Sequence, residues 1–112
     1  MTASALDLPG IALLRTKYVA AHHLRHDEIA ACLADIVAGT DTAARLKELQ
    51  SLMHRISGTA GSFGFGELGA TASEIEYMID AYLHGTAPGL TPILRRCLTF
   101  LDMSETVCTA QD

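Results

Sequence analysis

Residues 40–85 read TDTAARLKELQSLMHRISGTAGSFGFGELGATASEIEYMIDAYLHG. Within this stretch Leu46, Leu49, Met53, Ile56, Ala60 and Phe63 step by 3, 4, 3, 4 and 3 residues, which keeps one stripe of an α-helix apolar. Thr40 and Asp41 precede it as cap candidates. Leu68, Ala72, Ile75, Ile79 and Tyr82 continue with steps of 4, 3, 4 and 3, and the pattern stops near Gly85. The connection between the two helices runs across Phe63, Gly64 and Phe65. A connection so short makes the two helices an antiparallel hairpin.

Working outward, Pro9 suits the first turn of a helix, with Asp7 as its possible cap and Ile11, Leu14, Tyr18 and Ala21 on one face. The polar cluster His22 to Asp27 predicts a break before a second stripe of Ile29, Leu33, Ile36 and Val37, which Gly39 closes. After Pro88 and Gly89, a last helix with Pro92 in its first turn carries Leu94, Cys97, Leu98, Leu101 and Val107. The chain has 112 residues, 49% hydrophobic and only 5% aromatic, with no internal repeat or low-complexity linker. That composition suits closely packed helices better than sheets. The expected architecture is all-α: an up-and-down antiparallel four-helix bundle with a short leading helix, forming one domain over residues 1–112.

Charge and cysteine usage narrow the function. Eight Lys and Arg against thirteen Asp and Glu give a net charge of -5, and the longest basic run is the pair Arg95 and Arg96. A phosphate backbone would meet a field of its own sign, so no nucleic-acid partner is expected. No apolar run approaches the roughly 20 residues that span a bilayer, so no membrane partner is expected either. Cys32, Cys97 and Cys108 contain no C-x-x-C pair and read as core thiols of a reducing compartment. The first ten residues lack a basic n-region, and a cytoplasmic location is expected.

The chemistry centres on His54. Gly58 and Gly61 each disfavour helix by roughly 1 kcal/mol relative to alanine, and at about 100° per residue both fall within about 40° of His54. Bare backbone therefore lies one and two turns beyond an imidazole, where another protein can approach closely. The core stripe is centred about 130° away, which puts His54 on the exposed flank.

The segment HRISGTAGSFGFGELGATASEIE, residues 54–76, resembles the histidine-containing phosphotransfer (HPt) family. Its GTAGSFGFGEL string is most similar to the amino-terminal phosphotransfer domain of chemotaxis histidine kinases. The resemblance implies that His54 accepts the phosphoryl group, that Ile56 is the apolar position after it, and that Gly58 opens the face. Ala60 and Gly64 match the later small positions. It also implies that Glu76 accepts a hydrogen bond from the histidine ring. Hairpin register agrees, because a residue twelve past Gly64 lies opposite one ten before it; Glu74 and Glu67 are the competing carboxylates. Lys47, two turns before His54, and Arg55 are candidates for positive potential at the phosphoryl oxygens. The family's usual lysine three residues after the histidine is here Ser57, which can donate a hydrogen bond but carries no charge.

Taken together, the resemblance implies a phosphorelay protein of bacterial two-component signalling. It would carry a phosphoryl group between a histidine kinase, or the receiver of a hybrid kinase, and a response-regulator receiver aspartate, without autonomous kinase activity. It would need no cofactor of its own, the magnesium being the receiver's. The alternative is a non-catalytic HPt-like adaptor that regulates a receiver or kinase sterically, which Ser57 favours. A further constellation, His22-His23-x-x-His26, places His22 and His26 one turn apart as possible zinc or nickel ligands, but no well-spaced fourth ligand accompanies them.

Overall fold

In a computed structural model that describes residues 9–109, four helices follow one another: α1 (Pro9–Ala38), α2 (Thr42–Thr59), α3 (Gly66–Leu83) and α4 (Thr91–Cys108). A 3₁₀ turn, Ala60–Phe63, extends α2 into the hairpin. Adjacent helices run antiparallel, so the fold is the expected up-and-down four-helix bundle. Asp7, the cap candidate for the first helix, lies outside the described residues.

The same device ends α1, the 3₁₀ turn and α3. Gly39, Gly64 and Gly85 take φ values of 77°, 89° and 76°, a left-handed conformation that costs glycine nothing. After each, the next amide reaches back to a helix carbonyl: Thr40 to Asp35, Phe65 to Ala60 and Thr86 to Ala81, at 2.9 to 3.0 Å. At the start of α2, Asp41 occupies the cap position, yet its φ of 46° leaves it with no side-chain cap bond.

Both stripes that decided the hairpin are buried. Leu46, Leu49, Met53 and Ile56 on α2, Ala60 on the 3₁₀ turn, and Leu68, Ala72, Ile75 and Ile79 on α3 form the centre of the core, with Phe63 and Tyr82 packed at its edge. Two expectations are corrected. The break at His22 to Asp27 does not occur, and the short leading helix is the first half of α1, which runs unbroken for 30 residues. Between residues 11 and 38 there is no glycine or proline to stop it. His22 and His26 meet Ser104 of α4 across the bundle instead. On α4 the buried stripe is Ile93, Cys97, Phe100, Ser104 and Val107, while Leu98 is exposed; on α1 Val37 and Leu14 are exposed.

α1 sets the long dimension of the molecule, 50 Å against 23 and 18 Å. At about 1.5 Å per residue its 30 residues reach about 45 Å, against about 27 Å for the 18-residue helices. Its first half lies along the hairpin end. Tyr18 stacks on Phe63 with ring centroids 4.6 Å apart, and Arg15 donates from Nε to the Phe63 carbonyl at 3.2 Å with its guanidinium over the Phe65 ring.

Candidate functional site

His54 stands on the flank of α2 beside α3, and its side chain is 77% exposed. Its Nδ1 lies 2.7 Å from Oε2 of Glu76, which α3 holds on the facing flank at 27% exposure. An ionised carboxylate only accepts, so Nδ1 carries a proton and, in the neutral ring, the lone pair sits on Nε2. The competing Glu74 is turned about 160° away around α3 and accepts from Arg96 Nε and Nη2 at 3.1 and 3.0 Å. Antiparallel packing of α2 and α3 thus selects Glu76 from three nearby carboxylates.

A Cβ added at Gly58 or Gly61 would meet nothing within 4 Å, so the backbone beyond His54 is open to a partner. The reverse holds at Gly69 on α3, where an added Cβ would lie 3.5 Å from the Ala60 Cβ; there the two helices approach closely. Lys47 and Arg55 are exposed on α2, and no ion pair joins either to Glu76. Ser57 turns its hydroxyl back onto the chain and donates to the His54 carbonyl oxygen at 2.8 Å. The structure therefore gathers His54, Glu76 and the open glycines, and leaves Ser57 engaged with backbone.

Periodicity gave no hint of a polar hollow of about 300 Å³ one turn of α2 from His54, lined by Gln50, Ser73, Glu76, Tyr77 and Asp80. Its residues come from both helices, and only their register brings them together. Burial raises all three thiols, Cys108 among them, which weakens each as a nucleophile. Burial pushes Cys97 up to about 12, and burial followed by the hydrogen bond to Glu48 pushes Cys32 up to the same value.

A family model described as Hpt domain matches residues 23–106. The chain belongs to the Hpt domain family. Hpt domains carry out histidine phosphotransfer in phosphorelay signalling, where they interact with kinases and receiver domains. Neither a curated protein nor a solved structure gives a match. The Hpt match begins inside α1, so the helical stretch that stacks Tyr18 and Arg15 on the hairpin lies ahead of it. Among the described residues of this Hpt domain no helix is long and apolar enough to cross a membrane.

The early histidines His22 and His26 meet one hydroxyl of α4. His22 is fully buried, its Nε2 2.7 Å from the Ser104 hydroxyl, and His26 places Nδ1 2.8 Å from the same oxygen. One hydroxyl carries one proton, so Ser104 donates to at most one of the two rings and accepts from the other or from both. The other ring nitrogen of His22, Nδ1, is buried with no hydrogen-bond partner among the described residues. Among the described residues no three His, Cys, Asp or Glu side chains are grouped to hold a metal ion.

Proposed function

We propose that this Hpt domain carries a phosphoryl group on Nε2 of His54, received from a kinase or an aspartyl-phosphate receiver and passed to a response-regulator aspartate. The observation that carries the reading is the His54–Glu76 hydrogen bond of 2.7 Å on an imidazole that is otherwise open to solvent. Glu76 accepts from Nδ1–H and so orients the ring, leaving the Nε2 lone pair to attack phosphorus. With a receiver as donor, the N–P bond forms as the bond from phosphorus to the aspartate carboxylate oxygen breaks, and that carboxylate leaves; with a kinase, the bond broken joins the γ-phosphorus of ATP to its bridging oxygen, and ADP leaves. The ring then bears positive charge, which the Glu76 carboxylate offsets. Transfer onward reverses these steps with a second aspartate. Gly58 and Gly61 leave room for the receiver, whose own site supplies the magnesium; Lys47 and Arg55 add positive potential along the approach.

Incubation with a panel of phosphorylated receivers, followed by intact-protein mass measurement, tests this. One phosphoryl group is expected on His54, stable in base and labile in acid, and His54→Gln removes it without loss of fold because the side chain is on the surface. Labelling that persists in that variant overturns the assignment. A second reading, the non-catalytic adaptor, draws on Ser57, which brings no ammonium to the site and spends its hydroxyl on the His54 carbonyl. It predicts receiver binding with no gain of mass in any pairing.

A further inference from the structure

The outward face of α1 is not used by the bundle. Leu13, Lys17, Ala20, Leu24, Asp27 and Ala31 follow one another at steps of 4 and 3 residues, the spacing of a helix–helix seam, and all six are exposed. Leu13 and Leu24 are 58% and 67% exposed. Among the described residues neither Lys17 nor Asp27 has an ion-pair partner, while Arg45, Arg96, Glu48 and Glu74 all do.

The order of these residues is complementary to itself. A second copy laid antiparallel, with the two-fold axis level with residue 22, sets Leu13 against Ala31, Lys17 against Asp27 and Ala20 against Leu24. Symmetry repeats each contact, so large meets small and cation meets anion at every step of the seam. A parallel copy would instead oppose lysine to lysine and aspartate to aspartate.

We propose that this face of α1 is a homodimer interface in which two copies pack antiparallel, with Lys17 and Asp27 paired across it twice. The seam is about 27 Å long. Such a contact falls at the small end of specific interfaces, so the dimer is weak and concentration-dependent. It leaves the facing flanks of α2 and α3 free, and one assembly presents two His54 side chains. The inference does not depend on the phosphotransfer reading.

Sedimentation equilibrium of the full chain at low salt, from roughly 1 µM to 1 mM, tests it. The expected result is a mass rising with concentration from 11.9 kDa towards twice that value. Leu24→Glu should hold the protein monomeric throughout with unchanged helical circular dichroism. Lys17→Asp and Asp27→Lys should each weaken association by about tenfold, and the double swap Lys17→Asp/Asp27→Lys should restore it. A wild-type monomer at the highest concentration, a dimer that survives Leu24→Glu, or a double swap that fails to rescue would each overturn the proposal.

Discussion

His54 and Glu76 are 22 positions apart in the chain, and their 2.7 Å contact is the detail on which the site's chemistry turns. If the carboxylate holds the ring in one tautomer, Glu76→Gln slows phosphorylation by about tenfold or more and leaves receiver affinity unchanged. Ring-nitrogen NMR should show the His54 tautomers redistributing in the same variant. Glu74→Ala is the control: it removes only an exposed pair with Arg96, worth at most about 1 kcal/mol, and transfer should continue at the original rate. His22 makes a different prediction. Burial first, then the charges of His26, Arg25 and His23, holds its imidazole down to about 4 from an ordinary 6.5. The unfolded chain therefore binds a proton that the folded chain refuses as pH falls through this window. Stability is complete above about pH 6.5 and declines by up to about 3 kcal/mol towards pH 4. Urea midpoints measured across that range should fall in the wild type and flatten in His22→Leu.

At the scale of the element, α2 carries two glycines that weaken it as a helix while opening it as a surface. Because a side chain at Gly58 has space, Gly58→Leu should stabilise the fold by up to about 1 kcal/mol yet obstruct the receiver. Thermal denaturation and transfer rate should move in opposite directions; a stable variant that transfers at the wild-type rate would refute the access argument. The hairpin between α2 and α3 depends on Gly64 alone adopting positive φ between Phe63 and Phe65. That turn fixes the register in which Glu76 reaches His54, so the local geometry of one glycine has its effect 10 residues upstream.

For the whole molecule, fold and chemistry are separable because His54 lies outside the core. Phe100 is among the largest of the fully buried side chains, and Phe100→Ala should cost about 3 to 5 kcal/mol through lost burial and the cavity it leaves. Assayed well below its lowered melting temperature, the variant should still accept phosphate on His54. If it stays folded but has lost transfer, the core and the site are more tightly linked than this architecture implies. The first half of α1 adds a further layer, since Tyr18 and Arg15 tie the long helix to the hairpin beyond the span matched by the Hpt family.

The bundle and the hairpin were legible in the sequence because Leu46 to Phe63 and Leu68 to Tyr82 each offer a single apolar stripe, and one stripe permits one buried face. His54 stood out because glycine replaces side chains on its own stripe and because the segment from His54 to Glu76 resembles the HPt family. Other features needed the tertiary structure. On α4 the neighbours Ile93 and Leu94, Cys97 and Leu98, and Phe100 and Leu101 outline two overlapping stripes, so periodicity alone does not choose between them; packing against α1 and α3 buries the first of each pair. The run from His22 to Asp27 has the composition of a solvated bend, and only the arrival of Ser104 from α4, 82 residues along the chain, makes burial of His22 affordable. The pattern of a sequence records which groups prefer to leave water. Which polar groups find partners after leaving it depends on contacts between distant elements, and those exist only once the helices have packed.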